Sequence, residues 1–166
     1  MKQLVLIGPP GAGKSTIGDQ LSRALKMDFI DTDSQIEAKS GRSISDIFVE
    51  DGEAAFRMIE REVVLAALEV GTGVVALGGG AILNNEVYDR LLKHPGVIYL
   101  EVSISNAAPR VGFNRERPLL LGNPRQQWIA LMDARRAKYE ALAKYRFSTD
   151  NKKAREVVAE ISEQLA

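Results

Sequence analysis

Short apolar runs along the chain alternate with longer stretches in which apolar residues recur every three or four positions. The apolar runs predict strands at residues 4–7, 28–31, 73–77 and 97–102, with a weaker one at 146–148. The periodic stretches predict helices at 15–25, 34–69 (two or three helices), 86–93, 106–111, 125–144 and 154–165. Strands that alternate with helices indicate a parallel sheet covered on both faces, and such sheets bind ligands beyond the carboxyl ends of their strands.

Length and composition narrow the class of protein. The 166 residues suit one compact domain, and no repeat or linker divides them. The 22 basic and 22 acidic side chains cancel, so nothing suggests a nucleic acid partner. There is no cysteine, and no apolar run is long enough for a signal peptide or a membrane span. We therefore expect a cytoplasmic monomer that contacts no membrane, and we expect the single histidine, His94, to face solvent in a turn.

A glycine-rich motif joins the first predicted strand to the first predicted helix. It reads Gly8, Pro9, Pro10, Gly11, Ala12, Gly13, Lys14, Ser15 and matches the pattern Gly, four residues, Gly-Lys-Ser. Glycines allow turns that point backbone N–H groups at phosphate oxygens, and the helix N-terminus adds partial positive charge. Lys14 can reach the β- and γ-phosphates, Ser15 can bind Mg²⁺, and Thr16 can contact the α-phosphate. The motif predicts a site for a nucleoside triphosphate, with a plain helix-capping turn as the alternative.

Two carboxylates follow the second predicted strand, at the same edge of the sheet. One of Asp31 and Asp33 can hold the water shell of a metal ion, while the other orients or deprotonates an acceptor hydroxyl. The structural alternative is that Asp33 or Ser34 caps the next helix. One of the two aspartates can cap while the other acts on a substrate.

Three consecutive glycines, Gly78, Gly79 and Gly80, end the third predicted strand. Each weakens regular structure by roughly 0.5–1 kcal/mol, a cost that close approach of a ligand to bare backbone would offset. A plain loop is the alternative. No Asn/Thr-Lys-x-Asp motif for reading guanine is present, and this strand lacks the terminal metal-binding aspartate of a motor ATPase. What remains is a small kinase, whose second substrate must lie in line with the γ-phosphate.

In their order and spacing these residues resemble the shikimate kinase family along almost the whole chain. Besides the motifs above, the resemblance rests on Gly41-Arg42-Ser43-Ile44, Ile47-Phe48, Gly52-Glu53, Phe56-Arg57, Glu60, Arg117-Pro118-Leu119-Leu120, Leu131, Arg135 and Tyr139. It implies a three-layer α/β/α P-loop kinase fold of the nucleoside-monophosphate-kinase type, with a five-stranded parallel sheet in order 2-3-1-4-5. It also implies one domain over residues 1–166, with a shikimate-binding region at 33–60 and a lid at 111–124. The implied reaction transfers the γ-phosphoryl of ATP to the 3-hydroxyl of shikimate, on the pathway to the aromatic amino acids.

The resemblance also implies a role for each candidate residue. The catalytic residues would be Lys14, Asp33 and Arg117; the ATP-binding residues Gly11, Ala12, Gly13, Lys14, Ser15, Thr16, Arg110, Arg117 and Lys152; and the shikimate-binding residues Asp33, Arg57, Gly78, Gly79, Gly80 and Arg135. The cofactor would be Mg²⁺, bound by Ser15 and, through water, by Asp31.

The two arginines of the acceptor site suit the shikimate carboxylate, because a guanidinium fork binds a carboxylate through two hydrogen bonds. From spacing alone, Arg57 and Arg135 could equally be solvated helix charges. Arg135 is chosen over Arg136 because it shares a helix face with Leu131 and Tyr139. Some relatives have Arg and Pro where this chain has Lys152 and Ala154. A related kinase that acts on gluconate or a nucleotide, and a non-catalytic nucleotide-binding module, remain open alternatives.

Overall fold

A computed structural model describes residues 1–111 and 123–166 of the chain. Five parallel strands form one sheet in the order β2-β3-β1-β4-β5. The strands are β1 Gln3–Ile7, β2 Phe29–Asp31, β3 Gly73–Ala76, β4 Val97–Glu101 and β5 Tyr145–Ser148. The helices are α1 Lys14–Leu25, α2 Thr32–Ser40, α3 Ile44–Asp51, α4 Glu53–Val70, α5 Asn85–Leu92, α6 Ile104–Val111, α7 Pro124–Leu142 and α8 Ala154–Leu165, with a 3-10 turn at Ala81–Leu83. The predicted strand order is confirmed.

The order of the strands explains their composition. Strand β1 lies in the centre of the sheet, with β3 and β4 on either side, and every residue of it is 4% exposed or less. An uninterrupted apolar run is what burial on both faces requires. Strand β2 lies at an edge and is half-buried throughout. Two groups of helices cover the sheet, since α1 packs against α8 while α5 packs against α4 and α7.

The region between β2 and β3 consists of three helices and has a small core of its own. Its buried apolar side chains are Ile36, Ile44, Ile47, Phe56 and Val63. The rings of Phe48 and Phe56 lie 4.7 Å apart and add to this cluster. The predicted shikimate-binding region, residues 33–60, is thus anchored by side chains separate from the main core of the sheet.

Two local expectations need correction. Helix α6 begins two residues before the predicted Asn106, and the hydroxyl of Ser103 accepts a hydrogen bond from the Asn106 N–H there. His94 is half-buried rather than solvent-facing: its Nδ1 accepts from the Gly96 N–H at 3.0 Å, and its Nε2 lies 3.1 Å from Oε1 of the buried Gln3. These partners require the neutral imidazole with its proton on Nε2. His94 therefore connects this turn to the central strand, although the composition of the turn suggested that the side chain was exposed.

Candidate active site

The phosphate loop, residues 8–15, connects β1 to α1 at the carboxyl edge of the sheet. Gly13 has φ 86°, a left-handed conformation that favours glycine, and it starts the helix. Four successive carbonyls of the loop accept hydrogen bonds from three side chains. Lys14 Nζ donates to Gly8 O at 2.8 Å and to Pro9 O at 3.1 Å, Trp128 Nε1 donates to Pro10 O at 2.8 Å, and Arg110 donates to Gly11 O at 2.8 Å. Because these carbonyl oxygens accept hydrogen bonds from the three side chains, they point toward those donors and away from an incoming phosphate.

A hydroxyl and a carboxylate meet beside the loop. The Ser15 hydroxyl donates to Oδ2 of Asp31, while Oδ1 of Asp31 accepts from the Ser34 N–H at 3.2 Å. Asp31 is therefore the residue that caps helix α2, rather than Asp33 or Ser34, the two capping candidates considered from the sequence. Both groups line a cavity of about 590 Å³ that also reaches Lys14 and Asp33. Their hard oxygen donors fit a small divalent cation that keeps several of its waters.

No cluster of three or more His, Cys, Asp or Glu side chains suited to a metal occurs within residues 1–111 and 123–166. A cation with two protein ligands, phosphate oxygens and water needs no such cluster. Among these residues there is also no helix both long and apolar enough to cross a membrane. The monomeric state and the cytoplasmic location stay predictions.

The glycine triplet allows other groups to approach its backbone closely, and in the structure these groups are charged side chains of the protein. A Cβ placed on Gly78 would lie 2.8 Å from Asp33 Oδ1 and 3.1 Å from Glu60 Oε2. One on Gly79 would lie 3.5 Å from a terminal nitrogen of Arg135. At Gly80 it would collide with the guanidinium of Arg57. Two carboxylates and two guanidinium groups therefore come together against the backbone of the glycine triplet.

Arg57 and Glu60 form an ion pair within this group. Arg57 NH1 donates to Glu60 Oε1 at 2.8 Å, and its other terminal nitrogen lies 3.5 Å from Glu53. Burial raises the pKa of Glu60 above its usual range, although Arg57 and Arg135 both favour the ionised form. Its Oε2 is buried and, among the residues described, has no hydrogen-bond partner. A buried carboxylate oxygen of this kind calls for a water molecule or a hydroxyl group.

Helix α7 places Arg135 and Arg136 in different surroundings. Arg135 is 5% exposed and faces the glycine triplet, whereas the exposed Arg136 lines a separate cavity of about 390 Å³ with Glu101 and Glu140. Arg135 is therefore the one that shares the group of charges around Gly79. The third member of the face proposed from sequence, Leu131, is only half-buried.

A smaller cavity of about 240 Å³ lies behind the phosphate loop. It is lined by Thr16, Arg110, Thr149, Lys152 and Ala154, among others. Arg110 donates to the Thr149 carbonyl at 3.3 Å, and Lys152 pairs with Glu160 at 2.9 Å. Arg110 and Lys152, both predicted to bind ATP, therefore line the same cavity, and each forms a contact with a neighbouring residue.

Two predicted features lie outside the residues described. Arg117 is one of them. The other is the proposed lid at 111–124, of which residues 112–122 fall in that gap.

The sequence pattern does not predict two of the contacts that helix α7 makes. They are the bond from the Trp128 indole to Pro10 and the bond from the Tyr139 hydroxyl to the Gly79 carbonyl, which is 2.6 Å long. A signal was available, because Trp128, Met132, Arg135 and Tyr139 follow one another at helical spacing. That stripe identifies a buried face but not which backbone atoms it meets.

A phosphate loop on the central strand of a 2-3-1-4-5 parallel sheet, next to a cluster of arginines and carboxylates on a glycine triplet, defines a small-molecule kinase of the P-loop class. The model of the shikimate kinase family matches residues 10–166. The chain belongs to the shikimate kinase family.

Similar proteins agree with this assignment. A shikimate kinase of Thermobifida fusca is 52% identical over 161 residues, which are 97% of this chain and 93% of that one. A shikimate kinase of Rhodococcus jostii is 47% identical over 163 residues, covering 98% and 96% of the two chains. The structure of shikimate kinase from Acinetobacter baumannii in complex with shikimate has a TM-score of 0.94 at 34% identity and covers 99% and 93%. A deoxyadenosine kinase from M. mycoides, at TM-score 0.60, 18% identity and coverage of 98% and 97%, shares the fold alone.

Proposed function

We propose that this chain transfers the γ-phosphoryl group of ATP to the 3-hydroxyl of shikimate, giving ADP and shikimate 3-phosphate. Membership of the shikimate kinase family supports the assignment. The observation that carries it in the structure is the meeting of Arg57, Arg135 and Asp33 on the glycine triplet, beside the phosphate loop. A carboxylate and several hydroxyls on one small ring are what guanidinium forks, a carboxylate and bare backbone can bind together.

Each side chain then has a task set by its position. Arg57 and Arg135 bind the ring carboxylate, and Glu60 holds Arg57 in place from below. Asp33 accepts the proton of the 3-hydroxyl while the hydroxyl oxygen of shikimate bonds to the γ-phosphorus. The bond from that phosphorus to the β–γ bridging oxygen breaks in the same step, and ADP leaves. Lys14 balances the charge on the transferring group. For Arg117 the same task at the γ-phosphate rests on the family resemblance.

We further propose Mg²⁺ as the cation, bound by the Ser15 hydroxyl and, through water, by Asp31. When bound, it would neutralise charge on the β- and γ-phosphates. The two oxygen donors beside the phosphate loop support this choice of residues.

A coupled assay of ADP release tests the function, with shikimate, gluconate, AMP and CMP as parallel acceptors. We expect release that depends on shikimate and stops in excess EDTA. Turnover with gluconate or a nucleotide in place of shikimate would overturn the substrate assignment. Nucleotide binding without turnover on any acceptor would indicate a binding module instead, and activity undiminished by EDTA would refute the metal.

A further inference from the structure

One face of helix α7 contacts both halves of the active site. Trp128, Met132, Arg135 and Tyr139 lie at intervals of four, three and four residues, and none is more than 5% exposed. Trp128 donates to Pro10 in the phosphate loop, while Tyr139 donates to Gly79 in the triplet. Pro10 and Gly79 also approach each other, since a Cβ on Gly79 would lie 3.2 Å from Cδ of Pro10.

At Pro10 the phosphate loop accepts a hydrogen bond from a residue outside the loop. Pro9 and Pro10 have no N–H, so their side of the loop cannot be fixed by donating backbone hydrogen bonds of its own. Their carbonyls remain as acceptors, and each is paired with a protein donor. Lys14 and the Ala12 N–H serve Pro9, and the indole of Trp128 serves Pro10. Lys14 belongs to the loop itself, whereas Trp128 comes from a helix that also carries Arg135.

We propose that Trp128 is a positioning residue that sets the Pro10 side of the phosphate loop in register with the glycine triplet. It does so through the indole N–H and touches neither substrate. Helix α7 thereby fixes the distance between the nucleotide and the carboxylate-binding Arg135, which in-line transfer requires. This inference rests on the proposed function for its consequence, but the contact itself concerns nucleotide binding.

The tested substitution is Trp128→Phe, which keeps an aromatic ring and removes the N–H donor. The matched control is Met132→Val, one turn further along the same buried face, which removes volume and no hydrogen bond. ADP and shikimate are titrated separately into each variant. We expect Trp128→Phe to weaken ADP binding by about threefold to tenfold, the effect of one neutral hydrogen bond, with shikimate affinity unchanged. Met132→Val should change neither affinity, whatever it does to the melting temperature.

A spectroscopic measurement on the unaltered protein stands independently of whether the variant folds. The chain has a single tryptophan, so one indole N–H resonance reports on this bond. We expect that proton to exchange slowly with solvent, and its resonance to move on addition of ADP but not of shikimate alone. Rapid exchange, or a resonance indifferent to ADP, would overturn the proposal.

Different results would refute the role of Trp128 and the proposed function. Equal ADP affinities in Trp128→Phe and the original protein, with shikimate phosphorylation intact, would remove the role of Trp128 alone. An equal loss of affinity in Met132→Val would make the effect one of packing, and the proposal would also fail. An original protein that binds ADP but does not phosphorylate shikimate would instead refute the proposed function.

Discussion

The substitution Gly80→Ala tests whether position 80 requires glycine for lack of space or for its backbone conformation. Gly80 has φ −94° and ψ −1°, a conformation open to alanine without strain. Its Cβ, however, would lie 2.6 Å from NH2 and 2.7 Å from Cζ of Arg57, which is closer than atoms pack. The guanidinium must therefore move, because it is the end of a flexible side chain and the triplet is backbone.

The expected loss of shikimate affinity follows from the contacts that the Arg57 guanidinium makes at its present position. Moving it breaks the 2.8 Å hydrogen bond to Glu60 and removes one guanidinium group from the proposed shikimate site. A hydrogen bond to a charged group contributes about 1.5–3 kcal/mol, so the Kd for shikimate should rise about tenfold to a hundredfold. The Kd for ADP should not change, because no atom of the phosphate loop lies among the close neighbours of that Cβ.

Gly71→Ala is the matched control, since its properties are the reverse. Gly71 ends helix α4 with φ 72°, and a Cβ there would meet nothing closer than a carbonyl oxygen at 3.9 Å. This variant should lower Tm by about 2–8 °C through left-handed strain and leave both affinities intact. The measurements are calorimetric titrations and melting curves on both variants. Unchanged shikimate affinity in Gly80→Ala would refute the close-approach argument, and so would a loss of affinity as large in Gly71→Ala.

Three further predictions concern single charges. Lys14→Ala should lower kcat at least about tenfold with little change in Tm, because a charged contact to the transferring phosphate is lost; steady-state kinetics that retained most of kcat would contradict this. Arg135→Lys should raise the shikimate Kd about tenfold or more, since an ammonium cannot reproduce the fork, whereas Arg136→Lys should not; the reverse result in titrations would show that the register is wrong. Burial, helped by Arg90, lowers the pKa of His94. The unfolded chain therefore takes up the proton first, and the free energy of unfolding should fall as pH drops below about 6.5, by less in His94→Gln. Denaturant titrations between about pH 7.5 and 5.5 that gave parallel curves for both proteins would remove this contribution.

Features that depend on local sequence were accessible without the structure. The run from Leu4 to Ile7 was predicted to be a strand, because an uninterrupted apolar stretch of that length is typical of a strand buried on both faces. The phosphate loop was equally clear, since the strand, the glycines and the helix start occur together within one short segment. Spacing on helix α7 also predicted that Arg135 and Tyr139 share one face of the helix, and both are buried.

Tertiary structure alone decided which distant groups meet. Asp31 caps its helix and also accepts from Ser15, a pairing that depends on the relative position of two strands' ends. His94 is held by Gln3, which is 91 residues away in the chain, and Trp128 by Pro10, 118 residues away. The periodicity of apolar residues indicates which face of a helix or strand a side chain lies on. It carries no information on which residue of another element that side chain contacts. Burial of the sheet brings those partners together, and only that packing places charged side chains against the triplet at residues 78–80.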